Sequence, residues 1–283
     1  MKHQDLIRLL ARADREGFAV PSFNFNDIWD LTAIIQAAEE EKAPVMVQAI
    51  PRVMHALGLE TGCAMALAAI RQASVPVILH VDHSNDMDFC KKAVDAGFMS
   101  VMIDASALSL EENIRQVKEV TDYAHAAGVY VEAEIGRIRG NDVEGVYEGE
   151  DYLARVEDAV KLCSETGVDL LAVGIGTAHG FYKGKPKLHF DRLEQLHSAL
   201  EIPLVLHGGT GIPEEDLHTA IRNGINKINI GTALRFAYIS SLQEQLRDAK
   251  PTAHPLDIHA QARVRIKEEV KAAIRSVMAD GRC

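Results

Sequence analysis

Residues 75–84 read VPVILHVDHS. A short aliphatic run, Val75–Val81, stops abruptly at an acid, a histidine and a hydroxyl. Such a run suits a strand buried on both faces, as in a parallel sheet. The design recurs twice, as LLAVGIGTAHG over 170–180 and as IPLVLHGGTG over 202–211. His83, His179 and His207 each lie just past one of these strands. Three imidazoles gathered at the strand ends of one sheet would make a zinc site with an open coordination position. Asp82 would stand beside it as a proton carrier. Taken one at a time, each histidine could equally cap a strand or lie at the surface, since the chain has 12 of them.

The same strand pattern extends in both directions. Strands are expected near 19–25, 44–50, 75–82, 100–104, 129–135, 170–175, 203–207 and 227–230. Each is followed by a polar or glycine-containing turn and then by a segment of helical periodicity. AVDAGF, HAAGVYV, SETGVDL and IRNGINK share one form, a helix end, a glycine near the cap and the next strand. Alternation without a break in composition favours an α/β fold, a single (β/α)8 TIM barrel over residues 1–283. MKHQDLIRLLARAD adds an amphipathic N-terminal helix, and a further helix from about 257 to 279 closes the chain.

Bulk properties agree with this reading and exclude others. The 283 residues are 47% hydrophobic but only 5% aromatic, so Val, Ile, Leu and Ala do the packing. A formal charge of −11 argues against nucleic acid as a partner. It leaves a phosphorylated substrate open, because a metal or helix N-termini can reverse the local sign. No apolar run approaches the ~18 residues of a membrane span. Cys63, Cys90, Cys163 and Cys283 are widely spaced and read as reduced packing residues of a cytoplasmic protein.

Two connections exceed what a barrel needs, 136–150 (GRIRGNDVEGVYEGE) and 176–187 (GTAHGFYKGKPK). Both leave strand C-termini, where barrel active sites lie, and both are candidate lids. Asp104 ends the fourth strand, while Glu132 and Glu134 alternate along the fifth. Acids facing a barrel interior need a partner. They could orient imidazoles, offer an alternative metal position, or, for Glu132, form a structural salt bridge. His207-Gly208-Gly209-Thr210-Gly211 and Asn229-Ile230-Gly231-Thr232 follow the seventh and eighth strands, where many barrels bind phosphate through backbone N–H groups.

The chain resembles the class II, zinc-dependent ketose-bisphosphate aldolases, of which fructose- and tagatose-bisphosphate aldolases are members. AVPSFNFN, ILHVDHS, DAGFMSVMIDAS, EENIRQVKEVTDYAHAAGV, VEAEIG, GIGTAHGFYKGKPKLHFDRL, PLVLHGGTGIP and KINIGTALR carry the resemblance. It implies Zn2+ on His83, His179 and His207, with Asp104 and Glu134 as supporting or alternative metal acids. Asp82 would carry the proton to the aldehyde oxygen, and Asn229 would steady the enediolate. Gly180, Gly208, Gly209, Thr210, Gly211, Asn229, Gly231 and Thr232 would hold the dihydroxyacetone-phosphate end, with a monovalent cation, Na+ or K+. Asn24 falls among the substrate-binding residues, and Arg235 would grip a distal phosphate. Members are commonly homodimers or homotetramers.

Departures from the family pattern cluster on the aldehyde side. The fifth-strand loop of the family reads G-x-x-G-G-x-E, where this chain has Gly136-Arg137-Ile138-Arg139-Gly140-Asn141-Asp142. Asp142 thus stands in place of the glutamate linked to enolisation, with Glu144 as a second choice. Gly231 and Ala233 stand where fructose-type members carry two aspartates. Ile50 replaces a common serine, with Arg52 close by. The expectation is reversible aldol cleavage of a fructose- or tagatose-type ketose phosphate. An alternative is the same chemistry with another anionic aldehyde half, from a sulfonated or deoxy sugar phosphate. Outside this chemistry the rivals are a metal-dependent hydrolase on the same barrel and a non-catalytic sugar-phosphate-binding subunit.

Overall fold

The computed structural model describes residues 6–138, 140–142, 145–147 and 153–283, with 140–142 and 145–147 in backbone only. Its strands are β1 (Val20–Asn24), β2 (Val45–Ala49), β3 (Val77–Ser84), β4 (Ser100–Ile103), β5 (Tyr130–Ile135), β6 (Gly140–Asp142), β7 (Gly145–Tyr147), β8 (Leu170–Val173), β9 (Leu204–Leu206) and β10 (Ile225–Ile230). Among the described residues, eight of them close a parallel barrel in the order β1-β10-β9-β8-β5-β4-β3-β2. The fold is the TIM barrel expected from the sequence.

Helices α1 (Leu6–Glu16), α2 (Ile28–Glu41), α3 (Pro51–Leu57), α4 (Leu59–Ile70), α5 (Met87–Ala96), α6 (Leu110–Ala126), α7 (Val156–Thr166), α8 (Phe190–Ala199), α9 (Glu214–Arg222), α10 (Thr232–Arg247) and α11 (Pro255–Ser276) surround it. Helix α6 shows why these segments are helical. Ser109 caps its first turn by accepting from the Glu112 N–H, and Glu111 and Glu112 complement the helix dipole. Ile114, Val117, Val120, Thr121 and Ala124 are buried at three- and four-residue spacing, so one stripe faces the barrel. Each fully buried aliphatic side chain of this kind stabilises by about 1.5–3 kcal/mol. Helix α5 stops at Gly97, whose φ of 108° places it in the left-handed region of a C-terminal cap.

The expected extra helices at the two ends are present as α1 and α11. Leu6, Leu10 and Ala13 of α1 are buried, and Asn226 at the start of β10 donates to Asp14 at 3.0 Å. Helix α11 packs on α2 and α10 and ends before Met278, which adopts a left-handed φ of 59°. This termination leaves it a few residues short of the expected 279. No single described helix is long and apolar enough to cross a membrane.

Three details differ from the sequence reading. Strand β3 begins at Val77, past Pro76, which has no N–H to give to a ladder. It then continues beyond Asp82 to Ser84, because the β3–β4 register shifts between Val81 and Ser84. The connection over 136–150, expected as a candidate lid, carries an antiparallel strand pair that was not foreseen, with Asn141 opposite Val146. Cys63 and Cys90 are buried packing residues and Cys163 is half-buried, but Cys283 is exposed at the chain end.

The barrel interior is polar, and strand alternation explains how apolar-looking strands conceal this. Side chains two residues apart share a face. Ser22 and Asn24 on β1, His80 and Asp82 on β3, Glu132 and Glu134 on β5, and Lys227 and Asn229 on β10 follow this spacing. Lys227 and Glu132 belong to strands three places apart round the barrel, yet their charged atoms lie 2.9 Å apart across the lumen. The residues between, such as Val131 and Ala133, are fully buried on the opposite face, against the helices.

Candidate active site

At the C-terminal mouth, the β3 irregularity determines what the site can present. In a regular strand, Asp82 and His83 would point to opposite faces. His83 instead has a φ of 47°, and Ser84 resumes the ladder opposite Ile103. Both Asp82 and His83 therefore reach the mouth. Asp86, two residues beyond the strand, caps α5 through the Asp88 and Phe89 N–H groups, so Asp82 is not needed as a cap.

Asp82 is 1% exposed and held entirely by amide donors. Asn24 Nδ2 at 2.8 Å and Gln48 Nε2 at 2.9 Å donate to one oxygen, and Asn229 Nδ2 at 3.0 Å donates to the other. Gln48 also donates to Asn24 Oδ1 at 3.0 Å and accepts from the Ser22 hydroxyl, which fixes which way these amides face. Burial alone would push the Asp82 carboxyl up. His83, His207 and the Lys227 ammonium outweigh it and hold the group below the ordinary carboxylate range. The result is a carboxylate held in its charged form with a fixed orientation.

His83, His179 and His207 converge as expected. Each offers a ring nitrogen, and these atoms lie within 4.8 Å of one another. The His83 ring stands 4.5 Å from His207 and 5.0 Å from His179, centroid to centroid. Carboxylates orient two of the rings. His83 Nδ1 meets Asp104 Oδ2 at 2.9 Å, which turns Nε2 toward the cluster. His207 Nε2 meets Glu132 Oε1 at 2.8 Å, which leaves Nδ1 for the cluster. Asp104 in turn accepts from the Ser106 hydroxyl at 2.7 Å, and that hydroxyl lies 3.2 Å from Glu134 Oε1.

This arrangement fits a cation. The buried His83 Nε2 has no hydrogen-bond partner among the described residues, and His207 Nδ1 makes no hydrogen bond, although Glu134 Oε2 stands 3.2 Å away as an ion-pair neighbour. An unpaired buried nitrogen costs about 1–3 kcal/mol, a cost that metal ligation removes. Burial pulls the His83 ring down, yet Asp82, then Asp104 and Glu134, push it up to about 10. A field that holds a proton so firmly also favours a dication. Three imidazoles with space opposite them suit an open zinc site. His83, Asp104 and Glu134 form a second cluster of the same reach, so the acids expected as an alternative metal position are in place.

A small cleft opens over this centre. Asp82, His83 and His179 form its floor, and Asn24, Gly180, Gly208, Thr210, Asn229, Gly231 and Thr232 complete its wall. All ten were singled out from the sequence. Gly209, Gly211 and Arg235 are not among the lining residues. Gly209 instead ties β9 to β10 through its N–H on the Asn229 carbonyl at 3.0 Å. Arg235 is half-buried on α10 with Nη2 3.3 Å from Thr232 Oγ1. A Cβ on Gly231 would sit 2.5 Å from Asn24 Oδ1, so a side chain there would displace an Asp82 donor. Arg139, Glu144 and the Asp142 side chain lie outside the described residues.

Sequence reasoning missed Gln48, His80, Tyr182 and Lys227. Lys227 is fully buried and bonds Glu132 at 2.9 Å and Asn229 Oδ1 at 2.7 Å. It thereby links the acid that orients His207 to the amide that holds Asp82. For Glu132, the salt bridge and the imidazole contact are thus both present. The available signal was a polar residue on the inward face of a strand, alone as Gln48 is in VMVQA, or alternating with another as Lys227 does with Asn229 in INKINI. Tyr182 bridges two backbone groups behind the cleft, and burial pushes its hydroxyl up to about 12, so it remains a donor.

A buried carboxylate beside a cluster able to hold a cation, at the C-terminal mouth of a barrel, is the arrangement of an enzyme's site. Comparison with known proteins specifies it further. The family described as fructose-bisphosphate aldolase class-II matches residues 4–282. A fructose-bisphosphate aldolase of Staphylococcus epidermidis is 39% identical over 270 residues, 94% of each chain. One from Geobacillus stearothermophilus is 40% identical over 277 residues, covering 97% of this chain and 96% of its own. Among solved structures, the YdjI aldolase from Escherichia coli K12 superposes with a TM-score of 0.87 at 33% identity, covering 98% of both chains. The chain belongs to the class II fructose-bisphosphate aldolase family and is an aldolase, a carbon–carbon lyase.

Proposed function

We propose that the chain carries out zinc-dependent, reversible aldol cleavage of a ketose 1-phosphate or 1,6-bisphosphate of fructose or tagatose type. The products are dihydroxyacetone phosphate and an aldehyde such as glyceraldehyde 3-phosphate. The observation that carries this reading is the buried, amide-held Asp82 carboxyl beside three converging imidazoles. His83, His179 and His207 would hold the zinc, with Asp104 and Glu134 as supporting acids. When bound, the ion supplies a Lewis acid for the ketone oxygen. Asp82 accepts the C4 hydroxyl proton as the C3–C4 bond breaks, and returns it in condensation. The bonding electron pair passes to C3 of the ketose-phosphate half, which Asp142, or less favourably Glu144, reprotonates. Asn229 presents its amide to the charge developing on that half. Gly180, Gly208, Thr210, Gly231 and Thr232 would offer backbone N–H groups to the phosphate, with Na+ or K+ alongside, and Asn24 completes the wall.

Gly231 and Ala233 favour a second reading of the aldehyde half. Without carboxylates there, Arg235, together with Arg52 and Arg139, suits an aldehyde ending in phosphate or sulfonate. Assembly as a homodimer or homotetramer belongs to the same proposal, and large apolar side chains stay exposed on α10 (Phe236, Ile239, Leu246) and α11 (Leu256, Val264). The free cysteines suit a reducing, cytoplasmic setting. The test is condensation of dihydroxyacetone phosphate with a panel of neutral and anionic aldehydes, followed by stereochemical analysis. Aldol products from anionic aldehydes are expected, and absence of any carbon–carbon bond formation would overturn the reading.

A further inference from the structure

We propose that Tyr182 is a positioning residue that locks the His179 loop onto the 208–211 turn, and so sets both cation affinity and the grip on the substrate phosphate. The role rests on the functional reading above. His83 lies in β3 and His207 directly follows β9; Asp104, just past the adjacent β4, braces the first ring, and Glu132 on β5, two places round the barrel, braces the second. His179 lies outside any strand, within the connection between β8 and α8. Its placement therefore depends on how that connection is held.

The base of the connection is closed by the His189 N–H on the Ile175 carbonyl at 2.9 Å. Its tip rests on Phe236 through Phe181, with ring centroids 5.5 Å apart, and on Asp216 through Lys185 at 3.3 Å. Neither contact reaches the ligand-bearing turns. The Tyr182 hydroxyl does. It accepts from the Ala178 N–H at 3.0 Å and donates to the Gly208 carbonyl at 3.0 Å. Ala178 precedes His179, and Gly208 follows His207, so one hydroxyl joins the neighbours of two imidazoles. The backbones it joins are already in contact. A Cβ on Gly208 would lie 2.3 Å from the Ala178 carbonyl oxygen, so this position admits no side chain. The Tyr182 ring lies at contact distance over Gly211, 3.6 Å from where its Cβ would be. Gly180 and Gly208 face the cleft from either side of this bridge.

The test compares the parent chain with Tyr182→Phe, which keeps the ring over Gly211 and removes the bridge, and with Lys185→Ala, which loosens only the tip. Zinc affinity is measured by competition with a chromogenic chelator, KM for dihydroxyacetone phosphate in condensation, and melting on the metal-free chains. Tyr182→Phe is expected to weaken zinc binding about tenfold or more and to raise KM, with metal-free melting unchanged. Lys185→Ala should match the parent in zinc affinity. Parent-like zinc affinity and KM in Tyr182→Phe would overturn the role, as would an equal loss in Lys185→Ala or a matching fall in metal-free melting. A parent that binds no zinc would overturn the functional reading itself, and this role with it.

Discussion

Asp82 shows how far one side chain depends on its neighbours. Its two oxygens take three amide donors from β1, β2 and β10, which leaves the carboxylate charged and fixed in direction. Asp82→Asn keeps the shape but accepts no proton, and an amide facing three amides must also turn some of them round. The variant should retain its metal and lose about 10²–10⁴ of aldol turnover, measured as cleavage rate against bound zinc per chain. Turnover near that of the parent would place the proton on another group. Arg235 offers a second test at this scale. Loss of one charge-assisted contact costs about 1.5–3 kcal/mol, so Arg235→Ala should raise KM for an anionic aldehyde by about one to two powers of ten while sparing dihydroxyacetone phosphate. Equal rates with neutral and anionic aldehydes in the parent, unchanged in Arg235→Ala, would remove the distal anion site.

At the scale of elements, strands and helices were legible wherever period and chemistry coincided. The aliphatic runs gave eight barrel strands within a few residues of their positions, and AVDAGF announced the cap at Gly97. His83, His207 and Asp82 were legible because they ended such runs, and His179 because it follows one within the glycine-rich GIGTAHG. The bulge in β3 was not, because it arises from how β3 meets β4 rather than from a local signal. Lys227 and Gln48 were missed for a related reason. Lys227 finds Glu132 across the lumen, 95 positions away in sequence, and no periodicity encodes that meeting. The fifth-strand connection read as a candidate lid from its glycines and charges, and the pairing of β6 with β7 inside it gave no sequence signal.

Helix α2 carries a prediction of its own. Asp27 caps it, and Asp30 closes a capping box, accepting from the Asn26 and Asp27 N–H groups. Burial, with the Asp27 charge adding to it, raises the Asp30 carboxyl to about 7. Between the ordinary carboxylate value and about 7, the folded chain holds a proton that the unfolded chain has released. The linked stability is therefore present at the acid end and falls as pH rises through that window, by on the order of 4 kcal/mol. Urea unfolding of the parent and of Asp30→Asn from pH 4 to 8 should show the slope in the parent and a flatter profile in the variant. Identical profiles would mean that Asp30 titrates as an ordinary carboxylate.

Across the whole molecule, the barrel places its apolar faces against the helices and reserves its lumen for a continuous polar chain. From Asp82 the links run through Asn229 and Lys227 to Glu132 and His207. That chain ties the Asp82 carboxylate to the imidazole cluster, and both lie at the mouth where the glycine-rich turns open. The account depends on a bound cation acting with Asp82. The most direct measurement is aldol cleavage by the purified chain after zinc is stripped with a chelator and then titrated back, with metal content read alongside. The account predicts no cleavage in the stripped chain and recovery that saturates at one zinc per chain. Full activity in the metal-free chain, or a substrate imine trapped by borohydride, would contradict it.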